Sequence, residues 1–542
     1  MPQDPAALTV DDVRATPERM ASESVPPAAE GRTLRVALDW AVDEIDPPRS
    51  FGGWNTGRVA QQTHESLVED DFDTRPVPTD APTQIVPRLA ESVQTSPDAR
   101  RFTFRLRQGV RFHDGHPLDA DAVVLNYQRM YRPISPWYSA VVADFNREGA
   151  GLIEDVRALD PLTVEFRLSE PFPEFLRYMT QEDAPGAQSL VSPAAIQAYG
   201  PDGVADRAPG TGPFRFHRRF ETEGGSAVEL LRNAAYWDGP PAIDGIRFLP
   251  FPDLDDRVRA LVEGRVDIAY SLEGADLDEL AARGFDVPAF APPYLWYLVF
   301  NLRDPLIADV RVRQAVAHAI DRRALCDALF PGAARPAVSA IPPGAPAHDP
   351  EAQDRYPYDP ERARKLLAQA GAREGTVLQV VAARAGSAQL DPGAIFGRLA
   401  GDLGRVGIRL EVSLHSDWVA YCNQWREGAP TGVAFSEMSW AMSCDQWLSQ
   451  ILHSRNEAPR GFNAGYNQDA ALDALLDRAR GGLSSADRTS LYRAADARVM
   501  QTLPILPLFT SVRGMIASAP RVTGLTVVNQ CWQDFRRVRL SG

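Results

Sequence analysis

Between Arg101 and Arg107 apolar and polar side chains alternate: Phe102, Phe104 and Leu106 are interleaved with Thr103 and Arg105. A period of two buries one face of a strand and leaves the other in water. The stretch Pro87 to Ser92 and a Ser96-Pro97-Asp98 turn lead into this strand, and His113-Asp114-Gly115 turns the chain after it. Asp119 then stands where a helix cap is wanted, ahead of Val123, Val124, Tyr127, Met130 and Tyr131 on one helical face. Further along, Leu34 to Leu38, Leu162 to Leu168, Val228 to Asn233 and Ile246 to Pro250 read as strands. Asp253 caps a helix through Val258, Leu261 and Val262, closed by Gly264, and Arg265 to Ala269 follows as a strand. Tyr294 to Asn301 is an aromatic-rich strand, and Asp309 to Arg322 reads as one capped helix. Pro360 opens another, with Ala363, Leu366, Leu367 and Ala370 on one face before Gly371.

A chain of 542 residues with 44% hydrophobic side chains can build about three domains. Its net charge of −15 and lack of a basic stretch exclude a nucleic-acid surface, which needs clustered Lys and Arg. Lys365 is the single lysine, so no GxxxxGK phosphate loop exists. No apolar run is long enough to span a membrane. Residues 1–31 carry many prolines and charges and no apolar period, and are expected to be a disordered leader without the features of a secretion signal. Cys326, Cys422, Cys444 and Cys531 show no CxxC spacing, which leaves the redox compartment open.

Several chemical readings fall on spacing alone. His113 and His116 are three apart on a turn and lack the helical setting of a metal-binding HExxH pair. Gly210-Thr211-Gly212 opens no helix, so it is a poor phosphate loop, and no GxSxG elbow occurs. Cys444 beside Asp445 has no neighbouring histidine to make it a nucleophile.

The ordered series formed by the strand-turn-helix unit at 87–131, Gly210 to Phe216, Tyr236-Trp237-Asp238-Gly239, Arg265 to Ala269, Asp309 to Arg322 and Leu503 to Phe509 resembles family 5 of the extracytoplasmic solute-binding proteins. These feed peptide, dipeptide and nickel ABC importers. The resemblance implies an α/β, two-lobed periplasmic-binding-protein-like fold of type II, in the large peptide-binding subclass with an extra middle domain. It places the first lobe at 32–55, 189–290 and 508–542, the middle domain at 56–188 and the second lobe at 291–507. It also implies a small-molecule or peptide ligand, an ABC permease as partner, a monomer, no cofactor, no catalytic residue and a periplasmic or extracytoplasmic location. The missing export signal keeps a rival reading open, a cytoplasmic enzyme or carrier of specialised metabolism that reuses the fold.

In that family the ligand is read beside a W-x-x-D-Y motif, which Trp440 begins here. Ser443 replaces the aspartate that pairs with a peptide's amino terminus, and Cys444 replaces the aromatic. A hydroxyl cannot give the charge-assisted bond a desolvated ammonium needs, so ordinary free-amine peptides are doubtful ligands. Glu437 and Asp445 are candidates to hold a cation instead, with Asp445 also placed to cap the next helix. Trp54, Trp137, Tyr138, Trp296 and Trp447 are further candidates for aromatic lining, while Trp237 is assigned to the core.

Overall fold

The strand Arg101–Leu106 buries Phe102, Phe104 and Leu106 and exposes its arginines, as the alternation requires. In the computed structural model, which describes residues 32–49, 54–73, 84–180, 188–288, 293–384, 390–441, 447–526 and 533–541, it lies in a four-stranded antiparallel sheet. Its neighbours are Ala90–Thr95 and Thr163–Leu168, with Ile153–Asp160 beyond. The helix Ala120–Tyr131 begins where the Asp119 carboxylate accepts the Ala122 N–H at 2.8 Å, and Tyr127 sits edge-on to Phe166 at 4.6 Å. The leader 1–31 lies outside the described residues.

Two six-stranded sheets form the rest. The first takes strands from the start, middle and end of the chain, in the order Ile516–Ser518, Ile268–Tyr270, Thr33–Leu38, Gly245–Pro250, Gly225–Arg232, Phe214–Thr222. The second runs Ala334–Pro336, Ile505–Ser511, Tyr294–Phe300, Val433–Ala441, Thr376–Ala383, Ile408–His415. In the first, Thr33–Leu38 is parallel to Gly245–Pro250 and Ile268–Tyr270. In the second, Thr376–Ala383 is parallel to both Ile408–His415 and Val433–Ala441.

Long-range pairing shows which sheet or core each of three segments joins. The strand Ile505–Ser511 pairs with Tyr294–Phe300 and Ala334–Pro336, so the second sheet's chain runs past 508. Only Val512 to Met515 then join it to Ile516–Ser518 in the first sheet. The helix Trp54–Thr63, expected to open the middle domain, gives Val59 to the core of the first sheet and ties Gln62 to the Gln533 carbonyl at 2.7 Å. The helix Pro193–Tyr199, expected in the first lobe, packs Ala195 and Ile196 against Leu125 and Trp137. An amphipathic helix settles on whichever apolar face is near, and its place in the chain does not reveal which one. The expected helix from Asp309 to Arg322 is two: Val310–Ala319 stops before Ile320, and Asp321 caps a new helix Arg322–Leu329 by accepting the Ala324 N–H at 2.9 Å.

The two motifs His113-Asp114-Gly115 and Gly210-Thr211-Gly212 meet. The His113 backbone N–H donates to the Gly210 carbonyl at 2.8 Å, and its ring Nε2 donates to the Gly212 carbonyl at 2.9 Å. Burial pushes the His113 ring down to about 4, which keeps it neutral. The His116 Nδ1 donates to its neighbour's carbonyl at Pro117. Both rings are therefore engaged by backbone. A Cβ on Gly212 would lie 2.6 Å from the Thr63 carbonyl carbon, so the glycines are there for close approach of two backbones. Gly212→Ala is expected to cost about 1–3 kcal/mol of stability, read as a lower denaturant midpoint with an unchanged slope.

Glu65 closes the same junction. Its buried carboxylate accepts from Arg88 Nε at 2.8 Å, Thr211 Oγ1 at 2.7 Å, Tyr236 OH at 2.7 Å and Trp237 Nε1 at 3.0 Å. The Arg88 guanidinium also reaches Asp238 at 3.1 Å and lies over the Trp237 ring at 4.5 Å. Trp237 packs against the core of the four-stranded sheet, as expected of it, and is half-buried, held also by its indole N–H and by cations.

Candidate functional site

Parallel strands end together, and the loops after their carboxyl ends are where open α/β sheets place ligands. After Leu38 come Asp39, Trp40 and Asp43; after Tyr270 come Ser271 and Glu273. Asp39 fixes these loops to one another, accepting from Asn55 Nδ2 at 3.0 Å and Ser271 Oγ at 2.7 Å. Asn55 Nδ2 also donates to the Trp40 carbonyl at 2.9 Å. Arg219 pins the segment further on, donating to the carbonyls of Val42 and Asp43 and to Asp206. Asp43 is therefore held by its backbone, with its N–H donating to Thr56 Oγ1 at 3.2 Å and its carbonyl accepting from Arg219.

On the second sheet the loop after His415 places Asp417, whose carboxylate caps the helix Trp418–Glu427 by accepting the Ala420 N–H at 3.1 Å. Trp418 stacks on Tyr421, and Tyr421 OH donates to the Glu437 carbonyl. Trp425, Trp440 and Phe462 form an aromatic triangle with centroids 5.6 to 6.1 Å apart. Trp40, from the loop after Thr33–Leu38, packs against the hydrophobic core that contains Trp418, Tyr421 and Trp425. Trp440 is half-buried within it.

Carboxylates from the two sides influence one another here. Burial pushes the Asp43 carboxyl up to about 6; Arg219 opposes the rise, while Asp417 from the other sheet and Glu44 add to it. Burial likewise pushes Glu273 up to about 7, helped by Asp276 and by Asp391 from the second sheet's side, with Arg257 opposing. Asp391 is itself the cap of the helix Pro392–Gly404. At the floor, Leu272 and Glu273 face Trp296, Phe330 and Phe509 around a crevice of about 10 Å³.

Several candidates from the sequence lie elsewhere. Trp296 is 1% exposed, stacked on Phe509 at 4.8 Å, and only its edge reaches the floor crevice. Trp447 is also 1% exposed, in the core beside Tyr297. Trp137 packs in the cluster under Pro193–Tyr199, and Tyr138 follows it in the same turn. Glu437 sits opposite Leu298 in a central strand, 1% exposed, and burial pushes its carboxyl up to about 8, so at neutral pH it is mostly protonated and a poor cation partner. Ser443, Cys444, Asp445 and the Trp54 side chain lie outside the described residues. Burial holds the Cys422 thiol well above its usual range, with Asp43 and Asp417 adding to the rise, so this cleft cysteine is no thiolate.

The model of the bacterial extracellular solute-binding proteins, family 5 Middle, matches residues 84–458, more than half of the chain. The chain belongs to this family. As a family 5 member it is a solute-binding component of an ABC importer and not an enzyme. It is 28% identical to heme-binding protein A of Haemophilus influenzae over 92% of this chain and 90% of that protein. It is 27% identical to di/tripeptide-binding protein 2 of Pseudomonas aeruginosa, over 94% of this chain and 96% of that one. Its fold is that of the dipeptide-binding protein from Pseudoalteromonas solved with Met-Leu, with a TM-score of 0.83 at 23% identity, covering 94% of this chain and 100% of the other. Among the described residues no helix is long and apolar enough to cross a membrane.

Proposed function

We propose that this family 5 protein works outside the cytoplasm as a monomer, capturing a small peptide-like solute that carries a cationic group and passing it to an ABC permease. One observation carries the ligand class: acidic side chains follow the strand ends on both sides of the cleft, Asp43 and Glu273 on the first sheet and Asp417 and Asp391 on the second, near enough for the second pair to raise the carboxyls of the first. Bringing like charges together in a partly dry cleft is unfavourable unless a cation enters between them. The half-buried rings of Trp40 and Trp440 suit the apolar stem and charged head of such a solute. The peptide-like part rests on the relatives, of which one is named for di- and tripeptides.

A calorimetric and thermal-shift panel tests this. Lysine- and arginine-containing dipeptides and spermidine are expected to bind and raise the melting temperature, and neutral dipeptides such as Met-Leu to bind at least about tenfold more weakly. Neutral dipeptides that bind as tightly as the cationic ones would remove the reading.

A further inference from the structure

One cavity lies away from the cleft. It has about 540 Å³, in the range that holds a small solute, and opens beside the strand Ala334–Pro336 at the free edge of the second sheet. That strand pairs on one side only, with Ile505–Ser511. The Val512 N–H bonds the Ala333 carbonyl at 2.9 Å and the Ala337 N–H bonds the Leu508 carbonyl at 3.1 Å, so residues 333, 335 and 337 turn their backbone inward. Ala334 and Pro336 face the open edge, where the Ala334 N–H is already given to Phe330 and Pro336 has none. An added peptide strand would find no donors there, so the cavity is not a strand-docking groove.

Its charges point to a different guest. Each carboxylate in the wall is in use: Asp354 pairs with Arg322 at 2.6 Å, Asp321 caps its helix, and Asp349 accepts the Glu351 N–H at 3.1 Å. His348 spends its Nδ1–H on the Ile341 carbonyl at 2.9 Å. The guanidinia of Arg323 and Arg335, also in the wall, make no hydrogen bond or ion pair with any described residue. Arg323 and Arg335 are therefore the charged side chains of the wall whose hydrogen-bond donors have no partner among the described residues, and a guanidinium is the group best suited to bidentate recognition of planar or tetrahedral anions. We propose that this cavity is a second binding site, taking a small solute by a carboxylate or phosphate group held between Arg323 and Arg335.

Isothermal titration of the full chain with sodium phosphate and, separately, with sodium succinate tests the proposal, against sodium chloride at matched ionic strength. Saturable binding of either anion in the millimolar range is expected, weakened about tenfold or more in Arg323→Ala/Arg335→Ala and unchanged in Asp43→Asn. Binding of phosphate alone assigns a phosphoryl group, and of succinate alone a carboxylate. Both replaced arginines are exposed, so circular dichroism of the variant should match the parent. Equal binding by the double variant, or no binding of either anion by the parent, overturns the proposal.

Discussion

Replacing Glu65 with alanine is expected to lower the unfolding free energy by about 3–5 kcal/mol, the cost of leaving a buried charge without its partner. Glu65 accepts four hydrogen bonds, from Arg88, Thr211, Tyr236 and Trp237, donors drawn from three separate parts of the chain. Without it Arg88 keeps Glu69 at 3.5 Å and the more exposed Asp238 as charged partners, beside the Tyr236 hydroxyl and the Trp237 ring. Three neutral donors would also lose an acceptor in a site with little room for water. Glu65→Gln tests charge against shape: it retains the volume but turns an N–H₂ toward donors, so it should lose nearly as much. Removing both ends, Glu65→Ala with Arg88→Met, should recover part of the loss, because no unpaired ion is then buried. Denaturant midpoints for the four proteins decide the matter, and a single variant within about 1 kcal/mol of the parent would show that the junction contributes little.

The second large effect is on affinity. Asp43→Asn is expected to weaken binding of a cationic dipeptide about ten- to a hundredfold, the range of a charge-assisted contact in a partly buried site. The pH dependence has a definite sign. A cation favours the ionised carboxylate, and Asp43 and Glu273 are pushed up to about 6 and about 7. Binding therefore expels protons from them, and affinity should fall as pH is lowered from 8 to 5, with the lower part of that fall absent in Asp43→Asn. Without ligand the linkage runs the other way. Carboxyls whose values rise on folding favour the folded protein at low pH, and that contribution is lost as pH rises through about 6 and about 7. An affinity that is flat with pH, or that rises on acidification, would contradict the assignment.

Much of the local structure could be read from residue order. Asp119, Asp253 and Asp309 cap the helices their positions suggested, and Phe102, Phe104 and Leu106 turn inward as alternation demands. Spacing could not show that Asp321 would restart a helix immediately after Ile320, since both halves carry the same apolar period. The cleft was harder. Trp296 and Trp447 have the same composition signal as Trp440, and only burial separates a core indole from a lining one. Asp43, Asp417, Glu273 and Trp40 were passed over because no motif marks them. Their signal was positional: each follows the carboxyl end of a strand that proves parallel to its neighbour. Pairing direction is a long-range property, so alternation along one strand does not reveal it. Glu65 was invisible for the same reason, as its four donors converge from residues 88, 211, 236 and 237.

The short passage Val512 to Met515 has mechanical meaning. Four residues reach at most about 14 Å when fully stretched, too little slack for the two sheets to slide past each other. The Leu272 amide donates to the Met515 carbonyl at 3.2 Å, which anchors the crevice floor to this tether. Whatever else moves, the facing ends of Ile505–Ser511 and Ile516–Ser518 therefore stay within that reach of each other, and the wall that holds Glu273 stays beside them.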